Sequence, residues 1–276
     1  GKSLGLHSNG NFTFDQASLF YAGKVWSKMG AFVQLTYDGV ANKLGMDNTD
    51  IRVADQSDFG GHSFDYGVSF NNNPTSQDLW NTTPAWSFPY ASSPVAATPG
   101  AATMIEGSLG QRVGGATAYM MFDKWLYAEA GAYASFSPSM QLGMGLTNAN
   151  AQPQISGGAP YWRVTLQHDM SGHYFSLGTF GMQANVYPER DRSFGTDTIT
   201  DLGMDANYQY LADPKHIFEF KSSYIREDQK SNASQNLGLT QYNNNHLYSL
   251  HSNASYTFDQ TYTLSLGYLR NTGSAD

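Results

Sequence analysis

Residues 199–211 read ITDLGMDANYQYL, and this stretch indicates the fold class of the whole chain. From residue 201 to residue 210 its polar or small residues alternate with apolar or aromatic ones, which is the period of a β-strand and not of a helix. Apolar or aromatic side chains would point to one face of that strand, and polar residues or glycine to the other. The first set is Leu202, Met204, Ala206, Tyr208 and Tyr210, and the second is Asp201, Gly203, Asp205, Asn207 and Gln209.

The same alternation recurs along the chain, for example in residues 63–70, 125–136 and 247–258. Many of these runs reach the roughly 9–11 residues that a tilted strand needs to cross a bilayer, whereas strands of soluble proteins average about 5–6. About twelve strands are predicted, at 11–25, 30–37, 48–55, 63–70, 107–122, 125–136, 160–169, 174–186, 199–211, 217–226, 247–258 and 262–270. Short and long connections alternate between them, as in transmembrane β-barrels.

Composition agrees with an all-β, antiparallel, up-and-down transmembrane barrel. The chain has 276 residues, a net charge of -8 and no cysteine, and only 14% of its residues are charged. An acidic chain lacks the basic face that nucleic-acid binding needs, so no nucleic-acid partner is expected. No apolar run is long enough for a transmembrane helix. A secreted β-sandwich remains the alternative fold.

The order of the connections predicts that residues 1–276 form only part of a barrel. If the short turns are periplasmic, the first predicted strand begins on the extracellular side and the last predicted strand ends there. A bacterial barrel normally keeps both termini in the periplasm. We therefore expect a segment of a larger barrel of about 14 to 16 strands, with the closing strands outside this chain.

The polar face of the predicted strands supplies the candidate pore-lining residues. They are Asp65, Glu129, Arg163, Asp201, Asp205, Glu219, Lys221 and His251. One interpretation is a charged pore wall or a support for a plug, and the other is the ordinary polar lining of a barrel. Asp201 and Asp205 are expected to pair across strands with Glu219 and Lys221.

The connection at 71–106 is long and rich in aromatic residues and proline. Long connections without secondary structure are usually functional or disordered, and rigid aromatic and proline residues favour order. We expect a lumen-folded constriction carrying Trp80, Trp86, Phe88 and Tyr90. The alternative is an extracellular loop that packs on the rim.

Several stretches resemble a known family. They are residues 36–39 (TYDG), 47–52 (DNTDIR), 71–74 (NNNP), 80–90 (WNTTPAWSFPY), 159–163 (APYWR), 201–210 (DLGMDANYQY), 216–229 and 253–274. They are similar to proteobacterial fused monohaem cytochrome c–porins, with an architecture like that of outer-membrane iron oxidases. This resemblance implies haem c on a segment outside this chain, a bacterial outer-membrane location, and contact with lipid, lipopolysaccharide and a haem domain or periplasmic cytochrome.

Two functions follow as hypotheses. The barrel either sheathes a haem domain for electron transfer across the outer membrane, or it is a haem-free diffusion porin or substrate-specific channel. The sequence leaves enzymatic activity uncertain, because no catalytic constellation is recognisable. His168 and His173 flank a predicted turn, and a metal shared between them is a minor hypothesis. The histidines show no spacing of the H-E-x-x-H type, so no metal site is expected. His251 as a haem ligand from the barrel wall is a minor hypothesis.

Overall fold

The computed structural model describes residues 14, 16–39, 42–74, 79–80, 101–146 and 148–274. Thirteen strands in this part of the chain form one sheet. The strands are β1 Gln16–Trp26, β2 Met29–Asp38, β3 Lys43–Phe59, β4 His62–Asn71, β5 Val113–Phe122, β6 Leu126–Ser135, β7 Gln154–Ile155, β8 Ala159–Met170, β9 His173–Tyr187, β10 Asp197–Asp213, β11 His216–Lys230, β12 Asn244–Phe258 and β13 Tyr262–Gly273. A π-helical turn covers Met104–Ser108, α1 covers Pro138–Gly143, α2 covers Asn232–Asn236, and single 3-10 turns cover Ala149–Ala151 and Pro188–Arg190.

The sheet is antiparallel and up-and-down, which confirms the predicted fold class. The twelve long strands follow chain order from β1 to β13, and the two-residue β7 lies off this path and pairs with β9. Within the described residues, β1 pairs only with β2, and β13 pairs only with β12. The described strands therefore form an open sheet, as expected for a segment of a larger barrel. No helix in the described part of the chain is long and apolar enough to cross a membrane.

Short and long connections lie at opposite ends of the sheet, as the sequence predicts. Several short turns have two successive residues with positive φ, for example Gly60-Gly61 (63° and 84°) and Ser171-Gly172 (53° and 90°). Such turns match the right-handed twist of the strands that they join. We call this the short-turn end. The other end, which carries connections such as residues 39–42, 72–112 and 231–243, is the long-loop end.

The two faces of the sheet differ in burial and in chemistry. On β10, Asp201 and Asp205 are buried, whereas Leu202 and Met204 on the opposite face are 53% and 56% exposed. Strand β8 repeats the pattern, with Arg163 buried. We call the face of Asp201, Asp205 and Arg163 the inner face and the opposite one the outer face. A water-soluble sheet buries its apolar face, so this arrangement is reversed.

An apolar cluster lies on the inner face in the half near the long-loop end. Met104, Ile105 and Leu109 pack there against strands β9 and β11. Their wall partners include Phe180, Met182 and Ile225, all buried. The cluster holds the connection between β4 and β5 against the sheet, since burying such side chains stabilises by about 1.5–3 kcal/mol each.

The prediction that a strand begins at residue 107 and runs to 122 was wrong about its first residues. The structure has the π-helical turn Met104–Ser108 there, and β5 begins only at Val113. The turn forms because its backbone N–H groups meet wall carboxylates and its apolar side chains enter the cluster described above. These are tertiary contacts that local alternation does not reveal.

Candidate functional site

The connection between β4 and β5 lies against the inner face and forms the candidate site. We call its described residues, 72–74, 79–80 and 101–112, the inner connector. It is fixed at its start to β3. The backbone N–H of Thr49 donates to the Asn72 side-chain oxygen at 2.7 Å, and the Asn73 amide donates to Asn48 Oδ1 at 2.9 Å.

Trp80 is the first of two anchors of the inner connector. Its ring is 6% exposed. The indole Nε1 donates to Gln167 Oε1 at 2.8 Å and to the Tyr174 hydroxyl. The ring centroid lies 5.2 Å from that of Tyr127 in an edge-on contact. Gln167 and Tyr174 lie close to the β8–β9 turn, so the connector reaches from the long-loop end to the short-turn end by residue 80.

The π-helical turn Met104–Ser108 is the second anchor. Its first N–H groups need acceptors that the turn itself cannot supply. The N–H of Met104 donates to Glu227 Oε2 at 2.5 Å, and that of Ile105 donates to Asp201 Oδ2 at 2.8 Å. Asp201 and Glu227 are direct cross-strand partners on β10 and β11.

Glu106 extends this anchor to β12. Its Oε1 accepts a hydrogen bond from the Ser249 hydroxyl at 3.0 Å and lies 3.4 Å from His251 Nε2. The other oxygen accepts from the Thr103 hydroxyl at 2.8 Å within the connector. Three acidic side chains, Asp201, Glu227 and Glu106, therefore surround one turn, and each accepts a hydrogen bond from a backbone N–H or a hydroxyl group.

A buried ion pair lies between the two anchors. Arg163 NH2 is 2.7 Å from Asp205 Oδ2, and the two side chains are 1% and 0% exposed. They belong to β8 and β10, so the pair crosses β9 at Gly178. A Cβ at Gly178 would stand 2.5 Å from Asp205 Oδ1 and 3.0 Å from Arg163 NH2. The missing side chain of this glycine is what admits the pair.

Arg163 of the ion pair also contacts Trp80, the first anchor. The Arg163 guanidinium lies 5.2 Å from the Trp80 ring and 5.4 Å from the Phe180 ring. A desolvated cation–π contact is worth about 2 kcal/mol. The cross-strand pairing expected from the sequence was wrong, since Asp205 pairs with Arg163 and Lys221 pairs with Glu219 on its own strand at 3.0 Å.

Glu129 is held differently. Its two oxygens accept hydrogen bonds from the Thr117 hydroxyl at 2.5 Å and from the Tyr127 hydroxyl at 2.8 Å. The Tyr127 ring also contacts Trp80, which links this carboxylate to the first anchor.

Asp50 and Arg52 form a further inner-face ion pair, with 2.7 Å between Oδ2 and NH2. The sequence analysis did not select this pair. The alternation of Asn48, Asp50 and Arg52 within residues 47–52 was the signal for it.

All eight predicted pore-lining residues lie on the inner face, at different degrees of burial. Glu129, Arg163, Asp201 and Asp205 are buried, Glu219, Lys221 and His251 are half-buried, and Asp65 is exposed. Of the predicted constriction residues, Trp80 contacts the wall as described. Trp86, Phe88 and Tyr90 lie outside the described residues.

The site therefore consists of polar groups that bind a segment of the same chain. Among the described residues, no group of three or more His, Cys, Asp or Glu side chains is placed to hold a metal ion. Comparisons with protein-family models, curated proteins and solved structures find no match to this chain. The resemblance to cytochrome–porins stays a prediction.

Proposed function

We propose that this chain forms most of the wall of an outer-membrane β-barrel, with the outer face against lipid. The observation that carries the proposal is the reversed sheet, with charges buried inside and large apolar side chains exposed outside. Leaving apolar surface in water costs about 25 cal/mol per Å², whereas lipid removes that cost. Barrel strands in membranes alternate apolar-out and polar-in for this reason.

Strand length supports the same proposal. The twelve long strands have 10 to 17 residues, and a tilted strand needs about 9–11 to cross the hydrocarbon core. A bilayer offers no hydrogen-bond partner to an open strand edge. The proposal therefore requires β1 and β13 to be paired in the assembled barrel.

For the lumen we propose a sheath for electron transfer and not an open diffusion pore. The two anchors of the inner connector support this. Trp80 lies against β8 and β9 near the short-turn end, and the turn Met104–Ser108 lies against β10, β11 and β12 nearer the long-loop end. The haem comes from the resemblance to cytochrome–porins. The residues of this chain do not fit its attachment: there is no cysteine, and His251 Nε2 faces Glu106. Under this proposal the haem belongs to a segment outside residues 1–276.

Planar-bilayer conductance of the full-length protein tests the lumen proposal. We expect little steady conductance from the native protein and a clear increase when residues 80–90 are replaced by a short Gly-Ser linker. A Gly-Ser replacement of residues 238–241, in the connection between β11 and β12, is the matched control and should change nothing. Large steady conductance from the native protein would instead establish the diffusion porin.

Haem content tests the electron-transfer proposal separately. The intact mass and absorbance of the native full-length protein should show one covalent haem. A haem-free protein would remove the electron-transfer role and leave the barrel proposal untouched.

A further inference from the structure

The outer face carries a groove at the short-turn end, between β8 and β11. Its volume is about 560 Å³, within the range of about 300–1,000 Å³ that ligand pockets occupy. Leu166, Phe175, Leu177 and Phe220 line it. Ala206, which also lines it, contributes only a methyl group beside its cross-strand partner Leu177. Large apolar side chains therefore form the sides of the groove, and the small side chain of Ala206 leaves space at its bottom.

Polar rings lie at the short-turn side of the groove. Trp125, in the β5–β6 turn, and His168, near the end of β8, both line it, and both are exposed. Tyr208 lines it as well, and its hydroxyl is 3.0 Å from His173 Nδ1. Indole and imidazole rings can each donate an N–H hydrogen bond. One end of an otherwise apolar groove thus carries two rings with N–H groups, those of Trp125 and His168.

We propose that this groove binds one glycerophospholipid, with an acyl chain along Leu166, Leu177 and Ala206 and the phosphate at His168 and Trp125. The inference rests on the proposed membrane location of the outer face. Under that proposal the short-turn end faces the periplasm, so the ligand comes from the periplasmic leaflet. The layout matches a phospholipid, because the walls are apolar and the donors lie at the level where headgroups meet the aromatic belt.

Lipid titration of the full-length protein, followed by native mass spectrometry, tests the proposal with phosphatidylglycerol as the probe. We expect one saturable lipid on the native protein. Ala206→Phe fills the floor of the groove and should weaken this binding about tenfold, which corresponds to about 1.4 kcal/mol. His168→Ala removes a phosphate donor and should weaken it about threefold, within the worth of one hydrogen bond.

Ala118→Phe is the matched control, since Ala118 is an exposed outer-face alanine of β5 outside the groove. It should bind lipid like the native protein. Equal lipid binding by Ala206→Phe and native protein, or equal losses in Ala206→Phe and Ala118→Phe, would overturn the proposal. A native dimer that Ala206→Phe dissociates would also overturn it, because the groove would then hold a second copy of this chain.

Failure of this inference is distinguishable from failure of the barrel proposal. Flotation with liposomes reports whether the native protein inserts at all. Insertion without a saturable lipid rejects only the groove. Absence of insertion rejects the outer-membrane barrel and the groove together.

Discussion

The two faces of β10 form the sharpest contrast in the molecule. On the inner face, Asp201 and Asp205 are buried and each has a specific partner, the Ile105 N–H and Arg163. On the outer face, Leu202 and Met204 are more than half exposed. Buried carboxyl groups are tolerated where hydrogen bonds or an ion pair compensate their desolvation, and exposed apolar surface is tolerated where the surroundings are apolar. One strand thus requires two different environments, and the sequence alternation encodes both.

The largest effect should come from breaking the inner-face ion pair. Asp205→Ala leaves the Arg163 guanidinium buried without its carboxylate, and we expect a loss of about 3–5 kcal/mol in the free energy of unfolding. Urea unfolding of the membrane-inserted protein measures it. The double variant Arg163→Met with Asp205→Leu is the control and should be much closer to the native protein. If the single and double variants lose the same free energy of unfolding, the cost of Asp205→Ala does not come from leaving Arg163 unpaired.

A charge on the outer face should have the next largest effect. Leu202→Arg places a guanidinium in the middle of the outer face, at a cost of about 2–4 kcal/mol if lipid surrounds it. Thr198→Arg, near the end of the same strand, should cost about 0–1 kcal/mol. The same unfolding assay applies. Equal, small costs at both positions would indicate water on the outer face.

A smaller effect is expected from Trp80→Phe. The ring keeps its apolar contacts, but Gln167 and Tyr174 lose the indole donor, which should cost about 1–2 kcal/mol. Trp162→Phe is the matched control, because Trp162 is on the outer face and 38% exposed. A cost for Trp162→Phe as large as that for Trp80→Phe would show that the anchor has no special role.

The smallest effect should be the pH dependence of the short-turn end. Hydrogen bonds from His62 and from the Ser63 backbone N–H lower the pKa of Asp123. A lowered pKa gives stability that is present above the ordinary aspartate value of about 3.9 and is lost as the pH falls through the folded-state value. Thermal unfolding of native protein and Asp123→Asn should therefore differ at pH 6, and the difference should shrink as the pH falls below about 3.9. A difference that persists unchanged at pH 3 would contradict this account.

Most of the fold could be predicted from the sequence because strand alternation is local. The outer-face residues of β10 and the positions of the short turns follow from residues that are neighbours in the chain. The start of β5 could not be predicted, since Asp201 and Glu227 decide it from about a hundred residues away. Short helices were also missed, although Ser137 before Pro138 at α1 is a recognisable helix start, with its hydroxyl accepting from the Met140 N–H.

The sequence predicted which face of the sheet the site residues occupy, but it did not predict which of them form ion pairs. The period of two placed Arg163, Asp205 and Lys221 on the same face. It could not show that Arg163 reaches Asp205 across β9, because this depends on the absent side chain of Gly178 in a strand between them.

The most direct test of the central claim is a nitroxide accessibility scan along β10. The chain has no cysteine, so single variants label it at one position each. Labels at Leu202→Cys and Met204→Cys should collide with oxygen, which partitions into lipid, and be shielded from a water-soluble nickel chelate. Labels at Asn207→Cys and Gln209→Cys should lack the high oxygen accessibility of a lipid-facing site. If the nickel chelate reaches positions 202 and 204 as readily as a label at Lys215→Cys in the turn, the outer face does not contact lipid.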